Sequence, residues 1–193
     1  MKRNEDDCTL LAHCRQGDEQ AFATLMQRYQ QRVLRLAFHL LGDRAEAEDV
    51  AQETFIQLFR TLPTFRGEAS LFTWLYRVTV HLCRRRQRQH PPWITRPLAE
   101  AGESSAPDSV EAWVERRERQ QQVRTAVAGL PEKYRLVVIL FYFHDLSLRE
   151  IARLLRIPAG TVKWRLHAAR QQLEQRLREV WGEETDGPAQ QEP

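Results

Sequence analysis

The sequence predicts an all-α protein of two small helical domains joined by a flexible linker. Three observations predict it. Apolar residues recur at steps of three and four through most of the 193 residues, with no convincing alternating strand. Between residues 91 and 115 the period is lost, and Pro91, Pro92, Pro97 and Pro107 fall among Gly102, Ser104, Ser105 and Ser109. That is the composition of a linker, flexible with stiff patches. Near the C-terminus, SLREIARLLRIPAGTVKWRLHAAR sets two amphipathic segments around a tight break. The expected organisation is a domain over 1–90, a linker over 91–115, a second domain over 116–181 and a frayed tail over 182–193.

In the first domain, residues 8–15 read as a short helix. The next helix has Asp18 as N-cap and an apolar stripe of Phe22, Leu25, Met26, Tyr29, Val33, Leu36 and Leu40, and stops at Gly42. Asp43 with Glu46 caps a third helix, which Pro63 ends. Its expected buried stripe is Ala51, Phe55, Leu58, Phe59 and Leu62, and the other side presents Glu46, Asp49, Gln52 and Glu53. Carboxylates near a helix N-terminus complement the macrodipole, which accounts for Glu46 and hardly for Glu53. A basic protein partner for this face is the alternative. A fourth helix follows from about Ser70, with Leu71, Trp74, Leu75, Val78 and Leu82 as its core and Arg77, His81, Arg84 and Arg88 on another side. Phe72 and Tyr76 lie off the core stripe. Exposed aromatics beside a row of arginines are the combination that stacks unpaired bases.

In the second domain, Ser147 and Glu150 have capping-box spacing, and Leu148, Ile151, Leu154 and Leu155 give the helix a buried side. Pro158 forbids smooth continuation. The second segment buries Val162, Leu166, Ala169, Leu173 and Leu177 and presents Thr161, Lys163, Trp164, His167 and Gln171, flanked by Arg165 and Arg170. This is a helix-turn-helix pattern. From Ser147 to Trp181, eight Lys/Arg stand against three Asp/Glu, a net +5, which suits a phosphate backbone. Residues 91–114 carry one Arg against four acids, and residues 182–193 carry four acids and no base. Two basic bodies are thus separated by an acidic connector and followed by an acidic tail.

Other classes find little support. Three cysteines, Cys8, Cys14 and Cys83, make no disulfide framework and suit a reducing cytoplasm. Cys8, His13 and Cys14 lack a second ligand pair, so no metal or cofactor is expected. There is no signal-peptide pattern and no long apolar run, so a soluble cytoplasmic protein without membrane insertion is expected. No phosphate-binding loop, nucleophile elbow or zinc-protease motif occurs. The carboxylates Glu46, Glu48, Asp49 and Glu53 share one helix without a converging partner, so neither an enzyme nor a small-molecule substrate is expected.

Five stretches, GDEQAFATLMQRY, AEDVAQETF, FRGEASLFTWLYRV, LPEKYRLVVILFYFHDLSLREIA and GTVKWRLHAAR, resemble those of bacterial extracytoplasmic-function (ECF) sigma factors, which contain only regions 2 and 4. They cover most of the chain, in order and at family spacing. The resemblance implies an alternative sigma factor that binds core RNA polymerase and directs promoter-specific initiation. It implies that Asp49, Gln52 and Glu53 contact the β′ clamp, and that the second domain meets the β flap. It implies that Phe65, Gly67, Phe72, Arg77, His81, Arg84 and Arg88 recognise and help melt the −10 element. Thr161, Lys163, Trp164, Arg165, His167 and Arg170 would read the −35 element, and an anti-sigma factor is a further implied partner. His81 stands where many members have Asn, Trp164 where Ser is common and Ala168 where Arg is frequent, which bears on base preference at positions 164 and 168 on the reading side. The competing reading is a conventional helix-turn-helix regulator that does not bind polymerase.

Overall fold

The structure, a computed structural model, describes residues 2–65, 70–89 and 110–181, with side chains from Asp6 onward in the first segment and from Arg116 onward in the last. Regular structure among these residues is entirely helical. The first lobe contains α1 (Lys2–Arg15), α2 (Glu19–Leu41), α3 (Arg44–Thr61), a 3-10 turn (Leu62–Thr64) and α4 (Leu71–Gln89). The second contains α5 (Val110–Ala128), α6 (Glu132–Val138), a π-helical turn (Ile139–Phe143), α7 (Leu148–Leu155) and α8 (Ala159–Trp181).

The local signals act as their chemistry requires. Asp18 accepts from the backbone N–H of Gln20 and Ala21 at 2.9 and 3.0 Å, satisfying two donors that the first turn of α2 cannot. Gly42 ends that helix at φ 72°, a conformation that penalises a Cβ. Asp43 caps α3 through Glu46 N–H at 3.0 Å. The helix ends at Thr61, and Pro63 sits in the following 3-10 turn.

Helix α1 is longer than the expected 8–15 and starts at Lys2. Its polar first turns show no apolar stripe. The helix docks through Leu11 and Cys14, buried in the first-lobe core, and one turn earlier through Asp7, which is buried and accepts from Tyr29 Oη and from Arg28 at 2.6 Å. At the other end of the connector, α5 starts at Val110, so residues 110–115 are helical where a linker was expected. The rest of that stretch, residues 91–109, and the tail 182–193 lie outside the described residues.

Helix α3 packs along Ala47, Val50, Thr54 and Leu58, all buried. Phe59, expected in the core, is 63% exposed and meets Phe22 edge-on at 5.4 Å between ring centroids. It lies about 100° around the helix from buried Leu58, so α3 is rotated relative to the expected stripe. A first-lobe core joins Leu25, Tyr29, Val33, Phe55, Leu58, Leu71 and Leu75. The second lobe closes around Val137, Ile139, Leu140, Ile151, Val162 and Leu166, and this core is continuous with Leu36, Tyr76 and Val80 of the first lobe. The two lobes are packed together through α4.

Candidate nucleic-acid and partner interfaces

In the helix-turn-helix, the Ser147 hydroxyl accepts from Glu150 N–H, and the Glu150 carboxylate accepts from Ser147 N–H at 2.8 Å, a complete capping box. The break comes slightly before Pro158: Arg156 turns the chain in the left-handed region at φ 54°. Pro158 then opens α8, its carbonyl accepting from Thr161 N–H at 2.9 Å. Val162, Leu166 and Ala169 anchor α8 in the core, which points Lys163, Trp164, His167, Arg170 and Gln171 to the outside; Thr161 and Arg165 are half-buried at the edges.

Trp164 is 55% exposed, with one edge tilted against Tyr134 at 6.0 Å. Ala168, expected on the reading side, is half-buried against the core: two residues beyond Leu166 and one before Ala169, it falls on the flank of the anchored stripe. Sequence reasoning missed the aromatic rim beside α8. Arg170 Nε donates to Tyr142 Oη at 2.7 Å, and Lys133 lies 4.9 Å from the Tyr134 ring centre. The signal was present in EKYRLVVILFYF, where Tyr134 and Tyr142 occur among apolar residues, but periodicity does not tell that Tyr142 is exposed while Tyr134 is buried beneath Trp164.

On α3, Asp49 and Gln52 are exposed and Glu53 is half-buried. Ile56, 42% exposed, and Phe59 continue the same outer surface. The carboxylates already have partners. Arg85 of α4 donates to both Glu53 oxygens at 2.7 and 2.9 Å, and Arg86 reaches Asp49 at 3.4 Å. These pairs were not foreseen, because Arg85 and Arg86 lie outside the spacing that grouped Arg84 with Arg88.

The α4 surface differs most from expectation. Phe65 packs edge-on to Trp74 at 6.0 Å, and half-buried Phe72 lies 4.2 Å from the Tyr76 ring. Tyr76, expected exposed, is 2% exposed. It is off the first lobe's core stripe because it belongs to the core between lobes. Its hydroxyl is 3.1 Å from His144 Nδ1, and His144 Nε2 is 3.1 Å from His39 Nδ1. Burial pushes the Tyr76 hydroxyl up to about 12. Burial lowers His144 to about 3, with His39, Arg35 and Arg32 adding to the effect. His39 falls to about 4 through burial and then Arg35 and Arg124. Both rings are therefore neutral and can each donate one bond and accept one.

Arg77 donates to Leu154 O at 3.2 Å and to Arg153 O, at the C-terminal end of α7. Burial and neighbouring Arg156 lower its pKa. Arg84 pairs with Glu132 of α6, while His81 and Arg88 are exposed. Gly67 lies outside the described residues.

Among the described residues, no cluster of three His, Cys, Asp or Glu could hold a metal ion, and no helix is long and apolar enough to cross a membrane. An exposed basic face on the second helix of a helix-turn-helix in one lobe, and an arginine-bearing helix beside an acidic-apolar face in the other, are the chemistry of a two-lobed DNA-binding protein. The comparisons are specific about which kind. Residues 25–91 match Sigma-70 region 2, and residues 120–173 match Sigma-70, region 4. The chain is 35% identical over 186 residues to the RNA polymerase sigma-H factor of Pseudomonas aeruginosa, covering 92% of this chain and 96% of that one. It is 35% identical over 175 residues to the ECF RNA polymerase sigma factor SigW of Bacillus subtilis, covering 86% and 94%. Among solved structures, CnrH in complex with the cytosolic domain of CnrY has a similar fold, with a TM-score of 0.68 at 21% identity, covering 90% of this chain and 98% of that one. The sigma factor RpoE of Bartonella quintana, in complex with the anti-sigma factor NepR, has a TM-score of 0.61 at 20% identity, covering 81% and 96%.

The chain belongs to the ECF sigma factor family. It is an alternative sigma factor that directs transcription initiation, a regulatory factor.

Proposed function

We propose that this sigma factor docks on core RNA polymerase through the outer face of α3, recognises the −10 element with the 65–72 segment and α4, and reads the −35 element with α8. Its promoters are then chosen by two DNA contacts on separate lobes, and the β′ clamp and β flap hold the two lobes apart on the enzyme. The observation that carries this reading is the outward face of α8, where Lys163, Trp164, His167 and Arg170 are all exposed on a helix anchored by buried Val162, Leu166 and Ala169. Lys163 and His167 offer donors to base edges and Arg170 a cation for phosphate, while the Trp164 indole suits a thymine methyl. The mixed surface of Asp49, Gln52, Glu53, Ile56 and Phe59 supports a protein partner with basic and apolar groups. An anti-sigma factor completes the set of partners, and the cytoplasm, where polymerase works, is the place of action. Relatives in fold are complexes with the cytosolic domain of CnrY and with NepR.

The −10 assignment is tested with holoenzyme assembled from core polymerase. Replacing Phe72 and Arg77 together with Ala should impair promoter opening more than closed-complex binding, read by permanganate reactivity of unpaired thymines. A premelted bubble template should rescue the variant. Equal loss on duplex and bubble templates would remove these residues from strand separation.

A further inference from the structure

We propose that Tyr142 is a positioning residue for Arg170: its hydroxyl fixes the orientation of the guanidinium on the outer face of α8 before DNA arrives, and does so without cancelling its charge. The inference rests on the assignment of α8 to the −35 element. It adds a residue outside that helix whose work is to preset one of its phosphate contacts.

The geometry is specific. Arg170 Nε donates to Tyr142 Oη at 2.7 Å, and the guanidinium carbon lies 5.8 Å from the centre of the tyrosine ring. Both residues are exposed, Tyr142 by 49%, so the contact lies at the surface and is not a by-product of core packing. The guanidinium is a planar fork of N–H donors. With Nε engaged, the donors on the two terminal nitrogens stay available, in a plane already fixed at one corner. Such a fork is what a bidentate phosphate contact takes.

The chemistry of the acceptor separates this contact from an ordinary ion pair. Arg84, Arg85, Arg86 and Arg178 are each held by a carboxylate, which orients a guanidinium and also neutralises it. A phenol oxygen orients the group and leaves its full charge for an anion.

Tyr142 is well supported. It lies in the π-helical turn, a local geometry frequent at functional positions, and Phe141 braces its ring edge-on at 5.0 Å. Ile139 and Leu140 of the same turn are buried, and on α8 Arg170 follows buried Ala169. The same flank repeats the arrangement nearer the start of α8, where Tyr134 of α6 underlies Trp164 at 6.0 Å. Residues 134 and 142 meet 164 and 170 in the same order, so α6 and the π-helical turn run beside α8 and set its side chains from one side. A side chain ordered beforehand need not be immobilised on binding, and that is the source of the gain in affinity.

The test uses the full chain and a short fluorescent duplex carrying the −35 sequence that holoenzyme selects from a randomised pool. Tyr142→Phe keeps the ring and its contact with the cation but removes the acceptor. It should weaken binding by about fivefold, as expected when one long side chain must be ordered on binding. The slope of log affinity against log salt should stay as in the wild type, because the cation still reaches its phosphate. Arg170→Ala should instead make that slope shallower by about one unit. In the Arg170→Ala background, Tyr142→Phe should have no further effect. The −35 sequence selected by holoenzyme containing Tyr142→Phe should be unchanged, since phosphate contacts carry no sequence information.

Unaltered affinity in Tyr142→Phe, with the Arg170→Ala loss intact, would overturn the positioning role and leave the assignment of α8 standing. A Tyr142→Phe loss that persists without Arg170 would overturn it too, because the hydroxyl would then act through the fold or on DNA directly. If Arg170→Ala changes neither affinity nor slope, Arg170 meets no phosphate, and the proposal falls together with that part of the −35 assignment.

Discussion

His144 and His39 meet edge-on across the two lobes, Nε2 to Nδ1 at 3.1 Å. Neither ring is charged there, because burial and the arginines around them disfavour the imidazolium. Arg32 and Arg35 lie on α2 with His39, Arg124 on α5, and Tyr76 on α4 faces His144 from the other side.

This predicts opening in acid. A histidine released from the closed state titrates near 6.5, whereas the closed values are about 4 and about 3. Between those limits the open state binds more protons, so the closed state is fully stable above pH 6.5 and loses stability as pH falls. The slope is about 1.4 kcal/mol per pH unit for each proton. Moving from pH 7 to pH 5 should therefore weaken closure by roughly 2 kcal/mol for the first proton taken up. Scattering should show expansion over this range in the wild type. A His144→Phe chain should respond markedly less, and identical profiles would exclude these histidines as the cause.

Asp49→Lys should weaken association with core polymerase and leave folding stability within about 1 kcal/mol, as for most surface changes. Asp49 is exposed, and its pairing with Arg86 at 3.4 Å is of the kind that contributes little. Competition against a second sigma factor for limiting core measures the first effect, and urea denaturation the second. A variant that unfolds, or competes normally, would contradict the assignment.

Trp164→Ser should shift the preferred −35 sequence. The indole is mostly outside and touches Tyr134 only along one edge, so its removal should cost the fold less than about 1 kcal/mol. Selection from randomised −35 duplexes by holoenzyme is the measurement. Ala168→Arg, by contrast, has to find room on a half-buried flank and should steepen the salt dependence of binding by less than the about one unit expected of a free phosphate contact.

The turn between α7 and α8 allows a paired stability test by chemical denaturation. Ser147→Ala removes the capping box and should cost about 1 kcal/mol. Arg156→Gly should stabilise by up to about 1 kcal/mol, because Arg156 occupies the left-handed region at φ 54°.

The helix ends were legible because their causes are local. Asp18, Gly42, Asp43 and Ser147 act on backbone groups within four residues, and the capping spacing is visible in the sequence itself. The anchored stripe of α8 was legible for the same reason: Val162, Leu166 and Ala169 repeat at steps of four and three, so the exposure of Lys163, Trp164 and His167 followed. Helix α1 was underestimated because the turn before Leu11 and Cys14 is held by a buried carboxylate, Asp7, which an apolar period does not reveal.

By itself, then, the sequence determined the helical class, the caps, the basic outer face of α8 and the family resemblance. All of these depend on short-range geometry or on motif order. Only the tertiary structure decided that Phe59 is outside, that Tyr76 is inside and that Arg77 serves the end of α7. Periodicity tells which residues share a face of a helix, but a face is buried only by what packs on it. For α4 that is the second lobe, with Arg77 bonding to Leu154 and Tyr76 to His144, each more than sixty residues away in the chain.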